Sequence, residues 1–212
     1  MSFVKGAGTL TKLLEKAPQR RDAILNAALK EFTAQGYDNA STNVIAKEAG
    51  LSKALMFHYV GSKQELFLFV YDYFSELLYR EYFCKMDFSI KDIFDRFRTS
   101  YLLQIKLLKQ YPYLMDFDKL SAKTRSAEIN KAIEERAKNK PAYQIFDMIN
   151  ISKFRSGLDI EKCKQFILWA NIGFTHQILE SIRDSEMQAL NYESIITTLD
   201  DYICELKKLF YA

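Results

Sequence analysis

Glycine and proline are scarce in this chain, and that scarcity restricts the possible folds more than any other feature. The 212 residues include 7 Gly and 3 Pro. Sandwiches, barrels and doubly wound sheets depend on the tight turns that these residues supply. Because 49% of the residues are apolar or aromatic, the chain can still build a sizeable core. The sequence therefore predicts an all-α protein with one or two domains.

The few glycines indicate where the first helices end. Apolar residues recur every three or four positions over 19–35 and stop at Gly36, which suits the left-handed position that follows a helix. Thr42 is the expected cap of a short second helix, and Ser52 is the expected cap of a third. We therefore predict three short helices before Gly61.

Longer helices are expected after this point. Ser62 and Glu65 have the spacing of a capping box, and a second box is expected to begin at Ser89. Asp159 is the expected cap of a later helix. The predicted helices span 63–84, 90–111, 113–120, 125–154, 159–184 and 191–210.

The net charge of +3 is unevenly distributed along the chain. Residues 1–63 carry nine basic and five acidic groups, whereas the remaining 149 residues carry 21 basic and 22 acidic groups. An excess of positive charge at one end favours a polyanionic partner for that end.

The two short helices on either side of Gly50-Leu51-Ser52 have the layout of a helix-turn-helix. A short turn lets the first helix support the second at a steep angle, so that the second can enter a major groove about 12 Å wide. A step of 100° per residue places Tyr59 on the inner side of the second of these helices. The same step places four residues on its outward arc: Lys53, Ala54, Phe57 and His58.

A family signature is present between residues 20 and 68. It consists of Arg21-Asp22-Ala23-Ile24-Leu25-Asn26-Ala27-Ala28, Phe32, Gly36-Tyr37, Ser41-Thr42, Ile45-Ala46, Ala49-Gly50-Leu51-Ser52-Lys53, Phe57-His58-Tyr59 and Ser62-Lys63-Gln64-Glu65-Leu66-Phe67. In these residues the chain resembles the TetR/AcrR family of bacterial transcription regulators. The rest of the chain resembles that family in length and helix number only.

The resemblance implies three parts. Residues 1–18 would form a basic arm, 19–63 a three-helix helix-turn-helix DNA-binding domain, here called the head, and 64–212 a helical-bundle domain for ligand binding and dimerisation. The implied protein is a homodimer, usually a repressor, that a small molecule releases from operator DNA. We expect the ligand to shift the helix over 63–84 and so change the spacing of the two heads.

The resemblance also assigns DNA contacts to individual residues of the head. Thr42, Tyr59 and Lys63 match positions that contact phosphates, and for Tyr59 we follow the family rather than the helical arc. Ala54 stands where Gly is frequent, and Phe57 replaces the usual Tyr and lacks its phosphate-binding hydroxyl. The full set of predicted DNA contacts is Thr42, Ser52, Lys53, Ala54, Phe57, His58, Tyr59 and Lys63. Ser52 could equally serve as a helix cap alone.

The N-terminal arm carries basic groups without a continuous apolar run. Its cations, together with the first two arginines of the head, are Lys5, Lys12, Lys16, Arg20 and Arg21. Such an arm either reaches into a minor groove next to the site or is a disordered tail.

The predicted ligand site and dimer seam rest on polar and apolar residues of the later helices. The candidate ligand-binding residues are polar-tipped groups on otherwise apolar helices, namely Tyr101, Gln104, Tyr113, Trp169, Asn171 and His176. Each could instead be an ordinary core or surface residue. The candidate seam between the last two helices consists of Phe166, Ile167, Ala170, Phe174, Ile178, Ile195, Leu199, Ile203, Leu206 and Phe210. Abundant aromatics mildly favour a large apolar or amphipathic ligand.

Several classes of protein are excluded or disfavoured. No nucleophile elbow, phosphate-binding loop, dinucleotide fingerprint or metal-ligand spacing is present, so an enzyme, a metal site and a cofactor are not expected. No uncharged apolar run is long enough to span a membrane. The three cysteines, Cys84, Cys163 and Cys204, lack a CxxC pair and are interpreted as buried reduced thiols. A cytoplasmic, nucleoid-associated regulator is expected. The alternative is a helical small-molecule-binding protein or adaptor that has lost operator binding.

Overall fold

The structure is a computed structural model that describes residues 17–137, 145–184 and 191–212. Within these ranges the chain is helical, and one isolated bridge joins Phe154 to Tyr211. The α-helices are α1 (Pro18–Asn39), α2 (Thr42–Glu48), α3 (Lys53–Val60), α4 (Lys63–Glu81), α5 (Ile93–Leu108), α6 (Ala127–Ala137), α7 (Ile160–Asp184) and α8 (Tyr192–Phe210). Short 3₁₀ helices span Phe83–Lys85, Leu114–Ser121 and Ile151–Lys153. The predicted all-α fold class is confirmed.

The described chain forms two compact units. The first unit contains residues 17–79 and 113–137, and the second contains 80–112, 145–184 and 191–212. These units are defined by how the residues pack. The predicted boundary after residue 63 instead separates a DNA-binding part from a ligand-binding part, and it stays a prediction. Most of the predicted arm, including Lys5, Lys12 and Lys16, lies outside the described residues.

The caps of the first helices match the sequence in part. Gly36 has φ +70° and interrupts α1, as expected for a left-handed position, although one further turn continues to Asn39. Ser52 caps α3 as predicted, since its Oγ accepts a hydrogen bond from the Leu55 amide at 3.1 Å. The prediction that Thr42 caps α2 is wrong. Ser41 is the cap, and its Oγ lies 3.5 Å from the amide nitrogen of Val44.

The predicted capping box at Ser89 is also wrong. Asp92 caps α5, because its Oδ1 accepts hydrogen bonds from the amides of Phe94 at 2.9 Å and Asp95 at 3.2 Å. Two of the later predictions are confirmed. Asp159 accepts amide hydrogen bonds at the start of α7, and α8 covers the predicted span to within a residue.

The predicted helix over 125–154 is too long. Helix α6 ends at Ala137, and residues 145–150 are non-helical, with Met148 at φ +54°. The reason is that a side chain competes with the backbone amides for the carbonyl oxygens of this segment. Arg96 of α5 donates hydrogen bonds from Nη1 to the carbonyl oxygens of Ile145 at 2.7 Å and Asp147 at 2.6 Å. These carbonyls therefore bond to a side chain rather than to a helical ladder.

Arg96 also holds the turn before α5. Its Nε and Nη2 donate to the carbonyl oxygen of Ile90 at 2.9 and 2.7 Å, and Nη2 donates to that of Phe88 at 3.1 Å. The side chain is fully buried, and burial lowers the pKa of the guanidinium. A buried cation thus joins two irregular segments to α5.

The core of the first unit forms around α1 and α4. Phe32 and Phe67 meet edge to face with ring centroids 5.0 Å apart. Helix α1 packs against the 3₁₀ segment Leu114–Ser121, and the rings of Tyr71 and Phe117 lie 5.2 Å apart. Residues far apart in sequence therefore share one core.

The core of the second unit forms between α5, α7 and α8. Phe174 of α7 stacks flat on Tyr202 of α8 at 4.3 Å, and it meets Tyr101 of α5 edge to face at 5.5 Å. The buried members of this core are Ile93, Phe94, Phe97, Tyr101, Phe154, Cys163, Ile167, Phe174, Leu199, Ile203 and Leu206.

The cysteines differ from the sequence interpretation. Cys163 is buried as expected, and burial raises the pKa of its thiol. Cys84 and Cys204 are exposed, so their predicted burial is wrong. None of the described helices is long and apolar enough to cross a membrane.

Candidate DNA-binding site

Helices α2 and α3 form a helix-turn-helix in which the inner faces are buried. Ile45 and Ala46 of α2 and Met56 and Val60 of α3 are each at most 2% exposed. Gly50 takes φ +67° in the turn, which a residue with a side chain rarely adopts. The apolar contacts therefore fix α3 against the rest of the first unit with its other face outward.

The outward face of α3 carries most of the predicted DNA contacts. Ser52, Lys53, Ala54 and His58 are exposed, whereas Phe57 is half-buried. The Lys53 ammonium lies 5.8 Å from the centroid of the Phe57 ring. The Phe57 ring therefore packs against the Lys53 ammonium. Phenylalanine has no hydroxyl that could bond to a phosphate, so ring packing is the contact that this side chain can make.

Tyr59 is half-buried, but its hydroxyl reaches the surface. The oxygen accepts a hydrogen bond from Nη1 of the exposed Arg20 at 2.7 Å. The rings of His58 and Tyr59 lie 5.9 Å apart. By sequence Arg20 groups with the cations of the arm, and its contact with Tyr59 of α3 was missed because the two residues are 39 positions apart.

Thr42 and Lys63 lie at the ends of segments that meet at the loop between α1 and α2. Lys63 donates a hydrogen bond from Nζ to the carbonyl oxygen of Asp38 at 3.2 Å. Its ammonium also lies 5.1 Å from the centroid of the Tyr37 ring. Thr42 is the first residue of α2 and is half-buried. The structure therefore brings these two predicted phosphate contacts to one loop.

An ion pair holds α2 against α1. The Lys30 ammonium lies 2.8 Å from Oε1 and 2.9 Å from Oε2 of Glu48, and the hydrogen bond from this carboxylate raises the pKa of Lys30. Both side chains are about two-fifths exposed, at 43% and 40%, so the pair contributes little to stability. Its effect is to neutralise a cation that would otherwise add to the basic surface.

The predicted ligand-binding residues do not form one group. Tyr101 and Asn171 are buried and close together, since the Tyr101 hydroxyl donates to the Asn171 carbonyl oxygen at 2.9 Å. Gln104 is half-buried and donates to Ser100 Oγ at 3.1 Å. Three candidates are placed elsewhere: Trp169 and His176 are exposed, and Tyr113 belongs to the first unit.

The predicted dimer residues divide into two sets. Phe166 is exposed, and Ala170, Ile178 and Phe210 are half-buried. The other six are buried in the core of their own chain: Ile167, Phe174, Ile195, Leu199, Ile203 and Leu206. Packing within the chain uses these six side chains, whereas α7 leaves large apolar side chains such as Phe166 exposed.

Among the described residues, no group of three or more His, Cys, Asp or Glu side chains could hold a metal ion. The exposed cation Lys53 and the polar groups of α3 are of the kind that contacts a polyanion.

Comparison with known proteins agrees with this geometry. Residues 24–70 match the family described as bacterial regulatory proteins, tetR family. The HTH-type transcriptional regulator BetI of Agrobacterium fabrum is 49% identical over 51 residues, which cover 24% of this chain and 25% of BetI. Residues 24–70 therefore resemble the DNA-binding part of the tetR family.

A second relative extends the alignment beyond the head. The HTH-type transcriptional regulator YuxN of Bacillus subtilis is 31% identical over 123 residues, covering 57% of this chain and 40% of YuxN. The chain therefore matches less than half the length of either relative.

A solved structure shares its fold with nearly the whole chain. The ketosteroid transcriptional regulator KstR2 of Mycobacterium tuberculosis has a TM-score of 0.54 and 16% sequence identity, with 91% of this chain and 95% of that one covered. This likeness shows a shared fold, an N-terminal helix-turn-helix followed by a helical C-terminal part.

Proposed function

We propose that this chain is a DNA-binding transcriptional regulator that reads operator DNA with α3. The observation that carries the proposal is the outward face of α3, where Lys53 and His58 are exposed while Met56 and Val60 anchor the opposite face. A helix held in this way can enter a major groove. Thr42, Lys63 and Tyr59 would then fix the head on the phosphates.

A homodimer would supply two reading heads. Helix α7 exposes Phe166, Trp169 and Ile172 by 52, 56 and 50%, which is unusual for large apolar side chains that lie close together on one helix. Gly173 is exposed beside them, and a Cβ placed there would meet no described atom within 4 Å. Glycine inside a helix costs about 1 kcal/mol relative to alanine, and close approach of a second copy accounts for it.

A small apolar or amphipathic effector would bind in the second unit. Two polar atoms there are buried without a hydrogen-bond partner among the described residues, Asn171 Oδ1 and Tyr202 Oη. Burial raises the pKa of Tyr101, whose hydroxyl bonds to Asn171, to about 12, and it also raises the pKa of Tyr202. Both tyrosine hydroxyls therefore stay neutral. A ligand with one hydrogen-bond donor and one acceptor would satisfy both atoms. We also propose that the protein represses transcription and that this ligand relieves the repression.

The test is binding to DNA from the region upstream of the protein's own gene, measured at several salt concentrations. Each phosphate that the protein neutralises contributes a slope of about −0.9 in log K against log salt. Lys63→Ala should weaken binding and make the slope shallower by about 0.9. The matched control is Lys106→Ala, an exposed cation in the second unit, which should change neither. Salt-independent binding together with a silent Lys63→Ala would refute the proposal.

The rival function is a helical small-molecule-binding protein or adaptor without an operator. Both functions would use the buried polar atoms of the second unit, Asn171 Oδ1 and Tyr202 Oη. Ligand binding alone therefore does not distinguish the two functions. Selection from random DNA separates them: a regulator enriches a two-fold symmetric site, whereas the rival retains no sequence.

A further inference from the structure

Arg125, which follows the head by more than sixty positions, lies at the same loop as Lys63 and Thr42. Its backbone amide donates a hydrogen bond to Asp38 Oδ2 at 2.8 Å, and its Nη2 lies 3.4 Å from Asn39 Oδ1. Asp38 is also the residue whose carbonyl oxygen accepts the Lys63 bond. Three segments therefore meet at residues 38–42: the start of α2, the start of α4 and the segment before α6.

The Arg125 side chain is not needed to hold this segment in place. The short bond to Asp38 comes from the backbone amide, which every residue except proline has. The guanidinium lies 3.7 Å from the same carboxylate oxygen, and 80% of the side chain is exposed. A surface pair of that geometry contributes little to stability. The guanidinium is thus free to serve a ligand.

Lys123 adds a second cation to this surface. It lines a groove of about 190 Å³ that also borders residues 35–39. Lys123 is exposed and forms no ion pair within the described part of the chain, whereas Lys119 on the same groove is paired with Asp116 at 2.8 Å. Lys123 and Arg125 therefore form a small basic patch beside the loop.

We propose that this patch, Lys123 and Arg125, binds the sugar–phosphate backbone of the same DNA that the head reads. This inference rests on the proposed DNA-binding function. A guanidinium can donate two parallel hydrogen bonds to two oxygens of one phosphate. Each DNA strand presents a phosphate about every 3.4 Å of helix axis. A cation next to Lys63 can meet a neighbouring phosphate, and the contact carries no sequence information. The binding surface is then larger than the helix-turn-helix.

The first test is the salt dependence of DNA binding by full-length Arg125→Ala. We expect the slope to become shallower by about 0.9 and affinity to fall by roughly tenfold, equally for operator and random DNA. Lys123→Ala should act in the same way, and Lys106→Ala should leave both quantities unchanged. Because alanine keeps the amide that bonds to Asp38, thermal unfolding of Arg125→Ala should match that of the natural chain.

A second variant separates phosphate contact from simple neutralisation of Asp38. Asp38→Asn removes the negative charge and retains an acceptor for the Arg125 amide. If Arg125 contacts phosphate, adding Arg125→Ala to Asp38→Asn should still make the slope shallower by about 0.9. If the double variant has the slope of Asp38→Asn alone, Arg125 only neutralises Asp38 and the inference is overturned.

The outcomes also distinguish this inference from the proposed function. Salt-dependent binding that Lys63→Ala weakens and Arg125→Ala does not would leave the DNA-binding function intact and refute the role of Arg125. Absence of salt-dependent binding in the natural chain would refute both.

Discussion

Replacing Arg96 by alanine should remove much of the stability of the second unit. The side chain has 0% of its surface exposed and donates five hydrogen bonds to four backbone carbonyls. A guanidinium has five N–H groups, so every donor is used. Alanine would leave these carbonyls without their donor and open a cavity the size of the lost side chain. The two segments that Arg96 joins to α5 would lose their common attachment.

The expected loss can be bounded from the hydrogen bonds. A bond to a charged group contributes about 1.5–3 kcal/mol net, and bonds that share one side chain do not simply add. A buried carbonyl left without its donor costs about 1–3 kcal/mol, and these costs are not simply additive. We expect the free energy of unfolding to fall by about 4 kcal/mol, a large part of the 5–15 kcal/mol typical of a whole protein. Arg96→Lys should recover only part of this loss, since an ammonium lacks the planar fork.

The assay is urea denaturation followed by far-ultraviolet circular dichroism, with hydrogen exchange of α5 amides to locate the loss. The matched control is Arg98→Ala on the same helix. Arg98 bonds to Asp200 at 2.5 and 2.9 Å, but its side chain is 42% exposed, so we expect a loss of about 0.2–1 kcal/mol. If the two variants lose equal stability, the structural role given to Arg96 is wrong.

Three further outcomes are expected. Burial opposes ionisation of Asp92, but hydrogen bonds from Lys153 and from the backbone outweigh it and lower the pKa. Its charge therefore stabilises the fold above the ordinary Asp pKa of about 3.9 and less as pH falls through the lowered value, so urea midpoints of Asp92→Asn should depend less on pH in the acid range. Tyr202→Phe should keep or raise the free energy of unfolding by up to about 1 kcal/mol, because an unpartnered hydroxyl is removed, and a clear loss in urea would contradict this. Trp169→Glu should halve the mass measured by sedimentation, whereas Leu209→Glu, an equally exposed change on α8, should not.

The start of the chain could be predicted well because its signals are local. Gly36 takes the positive φ value that its position indicated, and Gly50 lies in the turn after α2, where a helix end was expected. Ser52 and Asp159 act as caps because a side-chain oxygen two or three residues ahead of free amides needs no distant partner. The face of α3 follows from helical period alone. These features give the position of the candidate site.

Features that depend on distant partners could not be predicted. Residues 145–150 were predicted to be helical, but Arg96 of another helix bonds to the carbonyl oxygens of Ile145 and Asp147. Leu199 and Ile203 have the spacing of a dimer seam, and the same spacing serves packing within one chain. Arg125 carries no local signal, since its relation to Asp38 spans 87 positions. In each case the deciding contact is tertiary.

The packing of residues 113–137 with the N-terminal segment has a consequence for building hybrid regulators. Tyr71 meets Phe117, Asp72 pairs with Arg136 at 2.5 and 2.9 Å, and Asp38 holds the segment through the amide of Arg125. A hybrid joined after residue 63 would keep the helix-turn-helix and yet combine two halves of a core that were never selected together. The exchangeable part comprises two stretches of sequence, so transplanting the head of this chain requires moving 113–137 along with its N-terminal partner.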